Sequence, residues 1–470
     1  MIPFAVLVGL LALVIRFYGA DSLDGGSQTV LVICTGLVLT LALVVYKIPW
    51  AVLDDAIMSN VKSIGSALII LLLIGAIAGS WMISGIVPTL ICYGLKILSP
   101  SIFLLAACII CCLVSLMTGS SWTTIATIGV AFIGIGLALG YSAPLTAGAI
   151  ISGSYFGDKV SPLSDTTNLA SSVSETPLFT HIRYMMITTV PSIVIACIIY
   201  LVISLLHTAA SDIQVEEIDA ALRSSFHISP WLLVVPVLTG VLIAKKVPAL
   251  LTLLAAALMA IVTALIAQPE LIASIGGGES TLNFSNAFRG SLVCLYGDTS
   301  ITTGNEMLDE LVQTHGMCGM LSTIFLIICA AAFGGAMTGA GMIQSITEML
   351  TKKITRRTSM VASTVGTGIF SNMVTGDQYL SIILTCSLYK DLYEKNGYES
   401  RLLSRSTEDS ATVTSVLIPW NSCGMTQATV LRVPTIEYLP YCFFNILSPI
   451  MSITVAAIGY KIFRNGKAIR

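Results

Sequence analysis

Residues 153–168 read GSYFGDKVSPLSDTTN, a polar stretch with apolar sequence on both sides. Gly157 and Pro162 prevent a continuous helix through it, because proline lacks an amide hydrogen and its ring clashes with the preceding turn. Unpaired backbone at membrane depth occurs only where it lines a cavity or is buried in protein. The stretch therefore predicts a transmembrane helix that is interrupted near its centre.

The composition of the whole chain is that of a membrane protein. Of its 470 residues, 55% are hydrophobic and 10% are charged, and the mean hydropathy is +0.91. Soluble domains carry about 25% charged residues, so a soluble globular fold is excluded. Recurring apolar stretches predict an all-α polytopic membrane protein of about 11 to 13 transmembrane segments. The first stretch, Met1–Phe17, has no basic region before it, and we interpret it as a retained span rather than a signal peptide.

The chain contains two copies of one pattern. A small-residue helix at 75–85 is followed by the polar break TGSSW at 118–122, and another at 331–341 is followed by TGDQY at 375–379. Weak internal repetition of this kind is typical of secondary transporters. The pattern therefore predicts two structural repeats with an interrupted segment in each.

The polar segments predict the boundaries of the repeats. The first repeat is expected at 1–206 and the second at 228–470, with an extracellular connector at 207–227 between them. Within the connector, an amphipathic helix is expected over Val215–Leu222. The segment 268–316 has no counterpart in the first half, and we interpret it as a solvated loop, with a lid or a subunit contact as alternatives.

Basic residues in short loops indicate the orientation, because they mark the cytoplasmic side of a membrane protein. They occur at Lys47, Lys245, Lys246, 352–357 and in the C-terminal tail, whereas 19–28, 207–227 and 268–315 hold few of them. This distribution predicts that both termini are cytoplasmic. It also predicts repeats that are inverted relative to one another, so that one fold presents related gates to opposite sides.

Two acidic residues of the first repeat are candidate ion ligands. An Asp at the centre of a span costs about 2.5 to 3.5 kcal/mol, so Asp158 and Asp165 are functional candidates. Hydroxyls, the Asn168 amide and freed carbonyls surround them, and such oxygen donors suit alkali cations. The alternative is an extramembrane loop in which Ser164 and Asp165 only cap a helix. Lys159 either pairs with Asp158 or extends to the membrane interface.

The second repeat supplies a similar but not identical polar set. Asp377 stands where the first repeat has Ser120, and Glu408 with Asp409 precedes a second break at 419–421. For Asp377 the alternative is a helix N-cap. For Glu408 the alternative is a surface ion pair with Arg401 or Arg405, which are close to it in the sequence.

Four stretches resemble the NhaC family of sodium/proton antiporters, and they are GDKVSPLSDTTNLA at 157–170, GSWMISGIVP at 79–88, TGSSW at 118–122, and TGDQY at 375–379 with IPWN at 418–421. The resemblance covers nearly the whole chain. It implies a bacterial cytoplasmic-membrane protein built from inverted repeats, each with a re-entrant hairpin and a broken helix whose polar tips meet near the membrane centre. It also implies that 164–168 and 419–421 lie at the breaks and that the protein forms a homodimer. Ile86, where family members commonly have Thr, and Cys423 depart from the pattern.

The leading hypothesis is exchange of Na⁺ for H⁺ by alternating access, with carboxylates that hold a proton in one state and a sodium ion in another. The predicted Na⁺ ligands are Asp158, Ser161, Ser164, Asp165, Thr166, Thr167, Asn168, Asp377, Asp409 and Asn421. The predicted contacts of a further substrate are Thr118, Ser120, Ser121, Thr375 and Trp420. The alternative is a sodium-coupled exchanger of small organic anions of the malate/lactate type, or of amino acids, whose carboxylates helix N-termini would receive. A passive channel is a third hypothesis.

Other classes of function lack support in the sequence. The net charge of −2 gives no reason to expect a nucleic-acid partner. The twelve cysteines lie mostly in apolar runs, and none of the four histidines has a partner at ligand spacing, so no structural metal is expected. Neither a phosphate-binding loop nor a nucleophile elbow is present. We therefore expect no enzyme activity and no cofactor, and as partners only Na⁺, H⁺, the lipid bilayer and a second copy of the chain.

Overall fold

The computed structural model describes residues 2–18, 25–207, 212–245, 247–277, 281–304, 308–309, 312–345, 354, 356–464 and 467–469. Its α-helices are α1 (Ile2–Tyr18), α2 (Gly26–Thr40), α3 (Trp50–Ser63), α4 (Gly65–Ile83), α5 (Ile86–Ile97), α6 (Phe103–Thr118), α7 (Ser121–Thr124), α8 (Val130–Ala138), α9 (Ala143–Val160), α10 (Asp165–Val173), α11 (Leu178–Leu206), α12 (Asp212–Ser225), α13 (Val234–Ala244), α14 (Ala249–Ala267), α15 (Pro269–Gly277), α16 (Phe284–Tyr296), α17 (Leu321–Gly339), α18 (Arg357–Thr375), α19 (Gln378–Lys395), α20 (Ser400–Thr407), α21 (Ser422–Leu431), α22 (Thr435–Tyr438) and α23 (Phe443–Ile458). Turns of π-helix occupy Leu41–Val45, Ile125–Gly129 and Glu408–Thr412, 3₁₀ turns occupy Pro100–Ile102, Pro230–Leu233, Cys318–Met320, Ser415–Leu417 and Leu439–Tyr441, and the antiparallel strands β1 (Ile462–Arg464) and β2 (Lys467–Ile469) form a short hairpin.

The helices confirm an all-α polytopic membrane protein. Among the described residues, seven helices are long and apolar enough to cross a membrane, and nine qualify if each of two bent pairs is one span. The expected 11 to 13 segments include interrupted ones. Helices beside an interruption can be short, and α10, for example, has only nine residues, so it is not counted among the seven. Large apolar side chains remain exposed along α11, α14 and α2, as is required of surfaces that face lipid.

Each half of the chain contains a helical hairpin with a sharp polar tip. The first hairpin is formed by α6 and by α7 with α8, and the second by α18 and α19. The tips turn at Gly119 and Gly376, whose φ angles of +68° and +64° are left-handed. Glycine adopts this region without the steric cost that a Cβ atom imposes. The TGSSW and TGDQY motifs therefore mark the same turn in both halves.

The predicted broken helices are present as well. α9 ends at Val160, extended backbone follows, and α10 begins after Ser164, whose side chain accepts a hydrogen bond from the Thr167 amide. In the second half, the helix that begins as α20 ends after its π turn, and α21 begins after Asn421. Ser164 and Asn421 are both N-caps, so each break ends in the same kind of helix start.

The open end of the first hairpin lies beside the C-terminal end of α11. The Leu104 amide donates a hydrogen bond to Ser204 Oγ at 3.3 Å. A ring nitrogen of His207 lies 3.3 Å from the Leu139 carbonyl oxygen, just after α8. The first hairpin therefore enters the fold from the His207 side.

The open end of the second hairpin lies at the opposite end of α11. Tyr184, near the start of α11, donates its hydroxyl hydrogen to the Lys461 carbonyl at 2.9 Å. Arg464 on β1 in turn donates to the carbonyl of Asn396, directly after α19, at 2.8 Å. Because the two hairpins enter from opposite ends of one long helix, they are inverted relative to one another. The exact repeat boundaries at 206 and 228 remain a prediction.

The connector and the insert also contain helices. The expected amphipathic helix of the connector is α12, which buries Ile218 and Leu222. The interpretation of 268–316 as a solvated loop is wrong for Pro269–Gly277 and Phe284–Tyr296, because these residues form α15 and α16, which pack against each other. Glycine makes this packing possible, since a Cβ atom on Gly290 would collide with the Ile272 carbonyl.

Substitution of Gly119 by Ala is expected to destabilise the protein by at least about 1 to 2 kcal/mol, the cost of left-handed backbone for a residue with a Cβ atom. The added atom would also lie 2.7 Å from the Leu163 carbonyl carbon, so the tip must move away from the first break. Thermal unfolding in detergent measures the effect. Gly366→Ala in α18, where nothing lies within 4 Å of the added atom, is the matched control and is expected to be neutral or slightly stabilising. Equal unfolding temperatures for the two variants would contradict the prediction.

Candidate ion-binding site

A cavity of about 680 Å³ lies where both hairpin tips meet the first broken helix. Six of the residues predicted from sequence line it, and they are Thr118, Ser120, Asp158, Asp165, Thr166 and Asp377. The other walls come from the junction of α3 with α4 and from the segment between α13 and α14. Residues from both halves of the chain are thus brought together around one space that holds three carboxylates.

Asp158 joins the first hairpin to the first broken helix. Its Oδ2 atom accepts hydrogen bonds from the Ser121 amide at 3.1 Å and from the Ser121 hydroxyl at 2.7 Å. Only 7% of the residue is exposed, although it lines the cavity. Asp165, by contrast, is exposed and begins α10. The two acids of the first repeat therefore differ in their exposure to solvent.

Asp377 caps a helix, which was the alternative interpretation from sequence, and it also lines the cavity, while its role as an ion ligand stays a prediction. Its Oδ1 atom accepts a hydrogen bond from the Leu380 amide at 2.9 Å, as an N-cap does. The second oxygen, Oδ2, accepts a long hydrogen bond of 3.4 Å from the Ser422 hydroxyl at the second break.

Several of the predicted ion ligands and substrate contacts do not line the cavity, namely Ser121, Ser161, Ser164, Thr167, Asn168, Thr375, Trp420 and Asn421. Their polar atoms hold the breaks and tips in shape. Ser161, for example, donates to the Leu116 carbonyl at 2.9 Å, and Asn421 donates to the Asn372 carbonyl at 3.1 Å. Trp420 donates its indole hydrogen to the Met373 carbonyl at 2.7 Å. In this conformation these side chains support the site instead of facing it.

Asp409 lies apart from the cavity in a buried charge cluster. Its Oδ1 atom accepts hydrogen bonds from the Lys159 ammonium, from Thr188 at 3.0 Å and from Ser448 at 3.2 Å. Lys159 and Asp409 are both fully buried. Lys159 therefore neither pairs with Asp158 nor extends to the membrane interface, which were the two alternatives from sequence. Instead it links α9 to the π turn after α20.

Arg405 and Glu408 complete this cluster. Arg405 is fully buried over the Tyr184 ring, with its guanidinium carbon 4.7 Å from the ring centre and its Nε atom 3.9 Å from Asp409 Oδ2. Neither oxygen of the fully buried Glu408 has a hydrogen-bond partner in the described part of the chain. The alternative from sequence, a surface ion pair of Glu408 with Arg401 or Arg405, is therefore wrong, and Arg401 pairs with Glu399.

Glu408→Gln is expected to leave the unfolding temperature unchanged or to raise it. The substitution keeps the shape of the side chain and removes an ionisable group that has no hydrogen-bond partner among the described residues, and a buried charge without such partners is costly. The measurement is thermal unfolding in detergent, beside Glu394→Gln at an exposed position of α19. A marked fall of the unfolding temperature for Glu408→Gln alone would show that the carboxylate has a stabilising partner.

The lining of the cavity has the chemistry of a cation site. None of the described residues that form its wall is a Lys, Arg or His. Three carboxylates with neighbouring hydroxyls offer the oxygen ligands that Na⁺ prefers. No cluster of three or more His, Cys, Asp or Glu suited to a resident metal ion occurs among the described residues.

Six polar residues of the wall were not predicted from sequence, and they are Ser63, Ser66, Thr123, Thr252, Gln378 and Tyr379. Gln378 and Tyr379 belong to the TGDQY motif, so the break pattern itself could have indicated them. No sequence signal points to Ser63, Ser66 or Thr252, since they stand in ordinary helix ends. Only tertiary packing brings them to the cavity.

Comparisons with known proteins agree with this chemistry. Residues 153–460 match the model of the Na⁺/H⁺ antiporter family. The chain is 36% identical over 421 residues to the Na⁺/H⁺ antiporter NhaC of Bacillus subtilis, covering 89% of this chain and 90% of that protein. It is 38% identical over 413 residues to NhaC of Alkalihalophilus pseudofirmus, covering 88% and 86%. It is also 36% identical over 398 residues to the malate-2H⁺/Na⁺-lactate antiporter of Bacillus subtilis, covering 84% and 82%.

Proposed function

The chain belongs to the Na⁺/H⁺ antiporter family, and on that basis we propose that it exchanges Na⁺ for H⁺ across the bacterial inner membrane by alternating access. The single observation that carries this proposal is the cavity, with three carboxylates and no cationic side chain among its described lining residues. Asp158, Asp165 and Asp377 bind the sodium ion. Protons compete for the same carboxylates, so that one ion leaves as the other binds.

The cavity opens toward the cytoplasm in this proposal. Its wall includes Ser63, Ser66 and the segment 247–249, which directly follows the basic pair Lys245 and Lys246. Basic residues in short loops favour the cytoplasmic side. By the same rule we propose that both termini lie in the cytoplasm, and the family resemblance supports a homodimer as the working unit.

An exchanger of small organic anions is the second candidate, because one relative is named a malate-2H⁺/Na⁺-lactate antiporter. Helix N-termini are the usual receptors for a carboxylate in such sites. Here the N-terminal turns of α7, α10 and α19 already meet acids of the chain itself, namely Asp158, Asp165 and Asp377. A further anion would be repelled by them, so the site favours cation exchange.

Purified protein in proteoliposomes with an internal pH dye tests the proposal. Addition of NaCl outside should move protons promptly without any organic solute, and KCl at equal ionic strength is the control. Malate, lactate and amino acids are then added in turn. Proton movement that requires one of these solutes would replace the proposed function with sodium-coupled solute exchange, and the absence of any Na⁺-driven flux would refute both.

A further inference from the structure

The two halves of the chain correspond residue by residue around the site. Thr118 and Thr375, Gly119 and Gly376, and Pro162 and Pro419 are each 257 residues apart. The same separation relates the helix caps Ser164 and Asn421, and it relates the tip residues Ser120 and Asp377, both of which cap the helix that follows. This register of 257 residues therefore relates positions with equivalent structural roles as well as equivalent positions in the sequence.

The hydrogen bonds at the two tips repeat in the same register. Thr118 Oγ1 donates to the Ser120 carbonyl at 3.2 Å and lies 3.2 Å from Thr124 Oγ1. Thr375 Oγ1 donates to the Asp377 carbonyl at 3.0 Å and lies 3.0 Å from Ser381 Oγ. Each cavity residue of the first half therefore has a definable counterpart in the second half of the chain.

Applied to the cavity, this register points to the start of α17 and to α21. Ser63 and Ser66 of the open wall correspond to Met320 and Thr323. Asp165, at the start of α10, corresponds to Ser422 at the start of α21. The counterpart of the open cavity is thus a region between α17 and α21, on the side of the protein where the first hairpin enters.

This counterpart region is closed. Thr323 Oγ1 lies 2.6 Å from Thr429 Oγ1 and forms a hydrogen bond with it, and the Gln28 amide donates to the Ser322 carbonyl at 3.3 Å. Met320 and Met425 belong to one buried apolar cluster, against which Trp420 packs. In the first half Ser63 and Asn168 stand where Met320 and Met425 stand in the second, and Leu163 stands in the place of Trp420.

The matching pair on the open side shows the contrast. Ser66 and Ser172, which correspond to Thr323 and Thr429, are both exposed. Thr323 is 6% exposed. A cavity therefore lies on one side of the molecule, and buried methionine side chains with a threonine hydrogen bond occupy the matching place on the other.

We infer that the contact between the start of α17 and α21 is the outward mouth of the cation pathway, closed in this structure. This inference rests on the proposed function, because it assigns the second exit that exchange of hydrated alkali cations requires. When the mouth opens, Thr323 and Thr429 separate, and Asp377 and Ser422 at the inner end of α21 meet external water. The apolar contacts of Met320 and Met425 hold the mouth shut while the cytoplasmic cavity is open.

A reversible cross-link across the mouth tests the inference. Thr323→Cys with Thr429→Cys is introduced into a Cys318→Ala background, since Cys318 is exposed nearby. Side chains whose oxygens are 2.6 Å apart are near enough for a disulfide. Oxidation is expected to reduce Na⁺-driven proton flux in proteoliposomes at least ten-fold, and dithiothreitol is expected to restore it.

The controls separate this inference from the proposed function. The reduced double variant and the wild type should both exchange Na⁺ for H⁺, and failure of the wild type would refute the proposed function itself. Ser66→Cys with Ser172→Cys should not cross-link in the conformation described here. Full flux through a completely cross-linked Thr323→Cys/Thr429→Cys protein would overturn the inference, as would a folded double variant that never cross-links.

Discussion

Replacement of Asp377 by Asn is expected to abolish Na⁺-driven proton exchange, with a fall of at least about 100-fold, or about 2.7 kcal/mol. The substitution removes one of three negative charges from a cavity whose described wall carries no positive one. Only 3% of Asp377 is exposed, so water cannot replace the lost ligand charge effectively. The flux is measured in proteoliposomes as initial proton movement after addition of NaCl.

The substitution should leave the stability of the protein unchanged, so that a loss of flux reports on ion binding and not on unfolding. Asp377 accepts the Leu380 amide as an N-cap, and Asn is as good an N-cap as Asp. Asp391→Asn, at an exposed position on the same helix, is the matched control and should exchange at the wild-type rate. Asp165→Asn is expected to behave like Asp377→Asn. Wild-type flux in both cavity variants would remove these acids from the site.

The hairpins and the breaks could be predicted from sequence because local chemistry determines them. A left-handed glycine between a threonine and a capping side chain forms the same tip at Gly119 and Gly376, whatever packs around it. Pro162 and the Ser164 cap similarly determine where α9 ends and α10 begins. The three carboxylates of the cavity were found for the same reason, since each stands in or beside one of these local signals.

The partners of buried charges could not be predicted in this way. Asp409 was expected to join the other acids, but it faces Lys159 across 250 positions of the chain. Nothing in the sequence distinguishes an Asp that faces a cavity from one that faces a lysine of another helix. Glu408 shows the same limit, because Arg405 stands one turn before it and yet makes no hydrogen bond with it.

Lys159→Met is expected to destabilise the protein by about 3 to 5 kcal/mol, the cost of leaving one partner of a buried ion pair without the other. Asp409 would retain the hydroxyls of Thr188 and Ser448, but the nearest cation left to it would be Arg405 at 3.9 Å. The loss is measured as a fall in unfolding temperature and a shorter half-life in detergent. Lys390→Met, which removes the partner of Glu175 from an ion pair at the surface, should lower the unfolding temperature far less.

Combining Lys159→Met with Asp409→Leu should recover part of the loss, because no uncompensated anion then remains at this point. Recovery should be incomplete, since Arg405 stays fully buried and loses the carboxylate nearest to it. The difference between the double variant and the sum of the single ones gives the coupling between the two charges. If the single substitutions at Lys159 and Lys390 cost the same, the pair contributes no more than a surface contact, and the link between α9 and the π turn after α20 would depend on packing alone.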